Sequence, residues 1–398
     1  MTISNHERYR DALTELAGDA AILPIVLEAG ERRGWWTSER QWRRTYGRFM
    51  PEAEAFAEIV VVSETPSQEL CRIEMFEHLP DDRGRAPDVC LIATGLGWAR
   101  VTRFPFDPDL PGLAPLAACA TVVRYHPGKR CTLRTMTGNR TVFAKVFATN
   151  RGARVYQDLV ALQRVASKGE LNVVIAEPLS WDASTRTLWQ AALAGQPATG
   201  GLRGGQGDDL ARRMGKATAS LTRAKVTPSE VFDGASELTR SRRHAGEIVR
   251  RVPALSDMVT AIVDRLAELH ARCPSRDLRP VHGAPHPDQW LDAGSEVGLI
   301  DFDRFSLEDP EMDAGVVLGD LDALAEPAVP PERVAATFLE GYRAAGVTLR
   351  EPLVQTYRAH QQLAKVMRAA RAIDPGGDRR AVSLAARTDH LLSDAVRL

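Results

Sequence analysis

The sequence is short of paired cysteines. Its five, Cys71, Cys90, Cys119, Cys131 and Cys273, are odd in number and include no C-x-x-C pair. That argues against a disulfide framework or a zinc ribbon and for a reducing compartment. It also lacks a dominant charge: 51 basic residues face 52 acidic ones, for a formal net charge of -1. No global basic field exists to draw in nucleic acid or an anionic membrane, so neither is an expected partner. No run approaches the ~18 apolar residues of a membrane span. Residues 2–7 are polar, with no basic segment leading an apolar one, so no secretory signal is expected and the protein reads as cytoplasmic. There is no internal repeat and no long low-complexity tract. Aromatic residues are only 6% of the chain, yet Trp35, Trp36 and Trp42 fall together, which predicts a core or domain interface.

What is present is ordinary globular material. The 398 residues, 44% hydrophobic and 26% charged, suit two or three folding units. Residues 6–30 carry apolar positions at helical spacing, among them Leu13, Leu16 and Ala20. Residues 57–104 read as β, with β-branched runs at 57–62 and 89–94. Gly95 and Gly97 form a G-x-G with no third glycine and no helix after it, so a plain turn is expected. The turn-rich residues 107–112 mark a boundary.

Beyond that boundary the pattern is cleaner. Residues 121–125, 130–134 and 141–147 read as strands, joined by His126-Pro127-Gly128 and by the tight turn Gly138-Asn139. Alternation puts Val142, Ala144 and Val146 on one face, and Phe143, Lys145 and Phe147 on the other. A lysine between two aromatics is atypical of a wet face. A helix at 154–166 and strands at 173–176 and 186–193 follow, so this stretch is α+β. Residues 195–207 are rich in Gly and Pro and read as a linker or loop. Helical periodicity then fills 208–222, 236–252, 255–271, 331–345 and 353–373. The run Arg240-Ser241-Arg242-Arg243-His244 reads as solvated helix surface.

One non-helical island, residues 278–313, interrupts these helices. It holds His282-Gly283-Ala284-Pro285-His286-Pro287-Asp288-Gln289. The prolines forbid a helix there, so His282 and His286 are not a zinc pair four apart on one face. Residues 297–300 form a short apolar strand that runs straight into Asp301-Phe302-Asp303. Carboxylates leaving a buried strand need water or a cation. Such a pair suits Mg²⁺ alongside substrate phosphates; an acidic turn capping its own backbone is the other reading.

These strings resemble the paired signatures of the aminoglycoside phosphotransferase and choline kinase-like family: H-G-D-x-x-x-x-N, then a strand and D-x-D. The resemblance implies a bilobal, protein-kinase-like α+β fold, with a β-rich N-lobe at 113–194, a helical C-lobe at 195–398, and an extra N-terminal α/β segment, 1–112, packed on the N-lobe. It implies that Asp301 and Asp303, with Gln289 at the family's Asn position, hold Mg²⁺, and that Asp313 helps hold the loop. The hairpin at 121–147 resembles the one lying over nucleotide phosphates. Lys145 then matches the phosphate-binding lysine, Lys129 at the hairpin turn is a further nucleotide contact, and Asp158 is the nearest acidic partner for Lys145. Gln190 would meet adenine through its backbone.

The chain departs from this pattern where chemistry matters most. Ala284 stands at the family's catalytic Asp, and a methyl group cannot orient or deprotonate a hydroxyl. Asp288 and His286 are the candidate surrogate acid-base groups, and His282, which opens the motif, completes the catalytic candidates. Three readings stay open. One is an ATP- and Mg²⁺-dependent phosphotransferase acting on a hydroxyl of a small metabolite. Another is a pseudokinase that binds nucleotide or a small molecule and regulates a protein partner. The third gives residues 1–112 an unrelated activity on a kinase scaffold. A D-x-D motif also occurs in hydrolases with an aspartyl nucleophile, but there it sits on the first strand of an α/β sheet. The abundance of arginine gives no reason to favour a polycationic antibiotic as the acceptor.

Overall fold

The computed structural model describes residues 5–36, 40–50, 52–63, 68–81, 86–204, 207–275, 277–322 and 330–395; residues 2–4 of the polar start lie outside these. The chain begins with α1 (Asn5–Leu16) and α2 (Asp19–Arg33). They lie on an antiparallel sheet of β1 (Trp42–Phe49), β2 (Ala57–Ser63), β3 (Glu69–Phe76), β4 (Val89–Thr94) and β5 (Gly97–Arg103), in the order β1-β2-β3-β5-β4. Every residue of β2 is buried. A strand covered on both faces needs apolar residues at every position. Ile59 and Val61 face the helices with Trp36 and Trp42, whose rings lie 4.9 Å apart. Val60 and Val62 face the next lobe, against Val122 and Tyr125.

The short helix α3 (Leu113–Ala117) leads into β6 (Thr121–His126), β7 (Arg130–Thr137) and β8 (Arg140–Phe147). Then come α4 (Arg151–Ala166), β9 (Val174–Ile175), β10 (Pro178–Asp182) and β11 (Thr187–Ala191). The lobe is an antiparallel sheet in the order β10-β11-β8-β7-β6. β8 is its centre, with Lys145 opposite Thr132 on one side and Leu188 on the other. Asp107, in the expected boundary, is buried and accepts hydrogen bonds from the Tyr125 hydroxyl and the Gly128 N–H, both at 2.9 Å. That segment therefore braces the β6–β7 turn.

The expected loop at 195–207 is largely structured, as β12 (Gln196–Pro197) and α5 (Ala198–Arg203). Next come α6 (Gly207–Thr222), α7 (Gly234–Arg251), α8 (Ser256–Arg272), β13 (Arg279–Val281), β14 (Trp290–Asp292), β15 (Val297–Leu299) and β16 (Ser306–Glu308). The chain ends in α9 (Glu311–Leu321), α10 (Pro331–Ala344), α11 (Glu351–Arg371) and α12 (Gly377–Ala395). Sequence periodicity did not single out α9 or α12. In α9 every residue but Asp320 is buried, so it has no wet face to set a period. In α12 the stripe that packs is small: Ala381, Ala385, Thr388 and Leu392.

The N-terminal unit touches both lobes. It meets the N-lobe through Val60, Val62 and Leu70, and the C-lobe where Arg48 of β1 bridges to Ala372 at the end of α11. Arg44 Nη1 donates to the Ile373 carbonyl at 2.9 Å, and Arg371 Nε donates to the Phe49 carbonyl at 3.1 Å.

Three histidines gather where α7, α8 and α11 pack, His244 and His360 buried and His270 half-buried. The Ser241 hydroxyl meets His360 Nδ1 at 2.6 Å, and His360 Nε2 meets His270 Nε2 at 2.8 Å. Burial lowers the affinity of all three rings for a proton; in His244 burial, reinforced by Arg243 and Arg240, brings it down to about 4. The unfolded chain protonates such rings near pH 6.5. Between pH 6.5 and 4 the unfolded state thus binds more protons, so this stability is present above pH 6.5 and lost as pH falls. His244 alone should cost on the order of 2 kcal/mol at pH 5. Urea denaturation at pH 7.5 and 5.0 checks this. His244→Gln should show a smaller acid loss than the parent, and equal losses would refute the assignment.

Candidate active site

The island folds around Asp313. Its carboxylate accepts from the His282 N–H and the Gly283 N–H, both at 2.8 Å. Burial pushes this carboxyl up to about 6, against the pull of those two bonds. Gly283 is held at φ +76, and a Cβ there would lie 2.4 Å from the Arg304 carbonyl. Only glycine lets the strand turn this tightly. β13 pairs with β16 beneath it, and β14 with β15 beside it.

Asp301 leaves β15 in the left-handed region, φ 68 and ψ 53. A non-glycine residue there stores about 1–3 kcal/mol of strain, which persists only where the surroundings impose it. The result is to aim Asp301 at β8. Lys145 Nζ lies 2.6 Å from Asp301 Oδ1 and 2.5 Å from Asp303 Oδ1. Arg130, which opens β7, pairs with Asp303 and lies 3.6 Å from Asp301 Oδ2. Burial alone would raise the Asp301 carboxyl, but Lys145 and Arg130 outweigh it and hold it below the usual carboxylate range. Gln289 Nε2 donates to Asp301 Oδ2 at 3.3 Å, while Gln289 Oε1 is buried with no partner.

A cleft of ≈ 880 Å³ opens over this cluster. Lys129, Arg130, Asp288, Gln289, Asp301 and Asp303 line it, and so do Tyr46, Arg48 and Glu58 from the N-terminal unit. Burial, with Arg48 and Arg371 nearby, makes Lys129 give up its proton more readily. A second cavity, ≈ 750 Å³, shares Arg130, Ala284, His286, Asp303 and Arg304 with the first and runs out between α4 and α7.

The predicted site residues do not all meet there. Lys145, Lys129, Asp301, Asp303, Gln289, His286 and Asp288 share the cleft or its ion cluster. Asp158 does not pair with Lys145. It is buried on α4, where it accepts from the Ser229 hydroxyl at 2.9 Å, and burial raises its carboxyl. The acidic partners of Lys145 are Asp301 and Asp303. Gln190 is absent from the cleft lining; it sits inside β11, paired with Phe143 and Pro178, so its backbone serves the ladder. The chain leaves the sheet only after Ala192, whose N–H still donates to the Thr141 carbonyl. His282 is fully buried; its Nε2 lies 3.0 Å from the Ile300 carbonyl and burial lowers the ring to about 4. It shapes the loop and lines neither cavity.

His286 is placed differently. Its Nδ1 lies 2.5 Å from Asp320 Oδ2 on α9, while Lys365 Nζ and Gln361 Nε2 reach Asp320 Oδ1 at 2.8 and 3.0 Å. Burial would raise the Asp320 carboxyl, yet His286 and Lys365 hold it below the usual range. Asp288 is exposed at the rim, on the turn Pro287–Gln289. The run 240–244 is solvated only in part: Arg242 and Arg243 are exposed, Ser241 and His244 are buried, and Arg240, Arg243 and His244 line the second cavity. Sequence reading missed Arg130, Asp320 and Lys365. Arg130, beside the hairpin turn, was the one with a visible signal.

The two lobes, the lysine on the central strand and the D-x-D under it define a bilobal, kinase-like phosphotransferase fold. The model of the phosphotransferase enzyme family matches residues 131–353, more than half of the chain, and the chain belongs to that family. Among solved structures it is similar to spectinomycin phosphotransferase, determined with ADP and spectinomycin: TM-score 0.51, 11% identity, 70% of this chain and 93% of that one. It also matches a choline/ethanolamine kinase family protein from Mesorhizobium loti, with TM-score 0.47, 17% identity, 71% of this chain and 96% of that one. No curated protein matches the chain by sequence at a significant level.

Proposed function

We propose that the protein transfers a phosphoryl group from ATP to a hydroxyl of a small metabolite, with the His286–Asp320 pair in place of the missing aspartate. The observation that carries this is the cluster of Lys145, Asp301 and Gln289 under one cleft, with Gln289 Oε1 buried and unpartnered. An orphaned amide oxygen beside a carboxylate suits a hard cation, since an unmet buried acceptor is otherwise costly. Asp301, Asp303 and Gln289 would hold Mg²⁺, which neutralises phosphate charge when bound. Lys145, Arg130 and Lys129 supply the fixed positive charges for the phosphates.

His286 handles the proton. Asp320 on Nδ1 fixes the tautomer and leaves Nε2 as the free base. The acceptor O–H proton goes to Nε2 as its oxygen bonds to the γ-phosphorus. The bond from that phosphorus to the β,γ-bridging oxygen breaks, and ADP leaves with the electron pair. Ala284 supports a second reading, a nucleotide-binding regulator without transfer.

Mg-ATP at 100 times its Kd should stabilise the wild type by about 2.7 kcal/mol. Lys145→Ala should lose that gain, read as a melting temperature that no longer responds to Mg-ATP. A wild type that does not respond overturns both readings. A response without transfer to any hydroxylated acceptor leaves the regulator.

A further inference from the structure

Resting on that reading, we propose that the acceptor is an oxyanion-bearing small molecule, a phosphorylated or carboxylated alcohol, held by arginines of α4, α7 and α11 in the second cavity. Seven arginines and only two carboxylates line it. Both carboxylates are already committed. Glu230 pairs with Arg154, and Asp303 with Lys145 and Arg130. Arg151 and Arg154 both donate to the Asp303 carbonyl, at 2.6 and 3.2 Å, which fixes their heads at the cavity wall.

The opposite wall is no better neutralised. Arg240 and Arg304 share one carboxylate, Glu237. The neighbouring Glu308 is buried beside Glu237, and burial with that like charge raises its carboxyl, so it is a weak counter-charge to Arg240 and Arg304. Among the described residues, Arg243 and Arg368 make no hydrogen bond or salt bridge, and Arg304 Nη2 is buried without a hydrogen bond. Crowding cations around a cavity is unfavourable unless an anion completes it. Guanidinium forks match phosphate and carboxylate oxygens two at a time. Phe232, Val316 and Met367 line the same space and suit the carbon part of such a ligand. His286 also lines this cavity, which puts the proposed base beside the ligand's hydroxyl. A polycationic acceptor would meet repulsion from every side.

The test measures thermal shift and calorimetric binding with three ligands of one scaffold: glucose 6-phosphate, glucose and glucosamine. Inorganic phosphate and citrate are added to separate phosphate from carboxylate recognition. The anions should bind and the neutral and cationic sugars should not. Arg240→Gln with Arg243→Gln, two residues outside the nucleotide cleft, should weaken anion binding about tenfold or more while Mg-ATP affinity stays within about twofold. The melting temperature without ligand reports whether the variant is folded, and Arg243→Gln alone provides a milder change at an exposed site. The proposal is overturned if glucose or glucosamine binds as well as the anions, if no anion binds, or if the variants leave anion binding unchanged. It is also overturned if the anions compete with Mg-ATP, since the arginines would then serve the nucleotide. A wild type that binds the anions but not Mg-ATP refutes the phosphotransferase reading and leaves the anion site standing.

Discussion

Replacing Asp301 with alanine is expected to lower phosphoryl transfer by about three orders of magnitude. Removing a single preorganised charged contact to a transition state costs about 10²–10³. Asp301 does more than one such contact. It accepts from the Gln289 amide, whose oxygen is unpartnered, and it shares Lys145 with Asp303. On the proposed reading its loss removes a cation ligand and lets Lys145 swing to Asp303 alone, away from the phosphate position. The effect should fall on kcat and on the Mg²⁺ concentration for half-maximal rate together. Asp301→Asn keeps the shape and removes the charge; it should be nearly as damaging if charge is what matters. Steady-state transfer assays over a Mg²⁺ series decide this. A variant within tenfold of wild type would remove Asp301 from the site. Because the left-handed backbone here suits Asp and Asn better than Ala, the Asn variant also separates strain from chemistry.

The second large effect concerns His286. A positioned general base contributes about 10²–10⁴-fold, so His286→Ala should lower kcat by that range with little change in Mg-ATP affinity. Asp320→Asn should cost less, because it loosens the ring without removing it. The sharper test is rescue. Ala284→Asp restores a carboxylate at the family's usual position, and in the His286→Ala background it should recover at least about tenfold of the lost rate. Single-turnover assays of the four chains, parent, each single and the double, make the comparison. If His286→Ala is silent, the imidazole is not the base. If the parent transfers nothing and Ala284→Asp alone creates activity, the scaffold is competent and the natural protein is a regulator.

Much of this was legible from residue order. The alternation in β8 set Lys145 apart from Val142, Ala144 and Val146, and the structure buries that lysine in the ion cluster. The apolar strand running into Asp301 and Asp303 pointed to the same place. What stayed hidden depends on which helices pack together. Asp320 lies in α9, whose burial on all sides erases periodicity, so nothing marked it as the partner of His286. Asp158 was the nearest acid in sequence, but α4 turns it toward Ser229. The arginine run 240–244 looked wet because a charge run usually is. Only the approach of α11 and of Arg304 converts that face into a cavity wall. Glycine and proline signals likewise overstated the looseness of 195–207, since backbone freedom does not prevent a short helix where Ala198 and Leu202 can be buried.

The N-terminal unit has a consequence for how the two lobes work. In a bilobal enzyme, ligands enter when the lobes part about the connecting segment, here the residues after Ala192. This chain fastens a third body across the gap. Its β2 and β3 are packed on one lobe, and its β1 bonds with the end of α11 in the other. Parting the lobes would shear an apolar contact and the bonds of Arg44 and Arg371 together. The unit acts as a clasp, and it carries Arg48 and Glu58 into the lining of the cleft over Asp301 and Asp303. The arginine-lined cavity between α4 and α7 takes no residue from this unit, so a ligand proposed to enter there would not have to break the clasp.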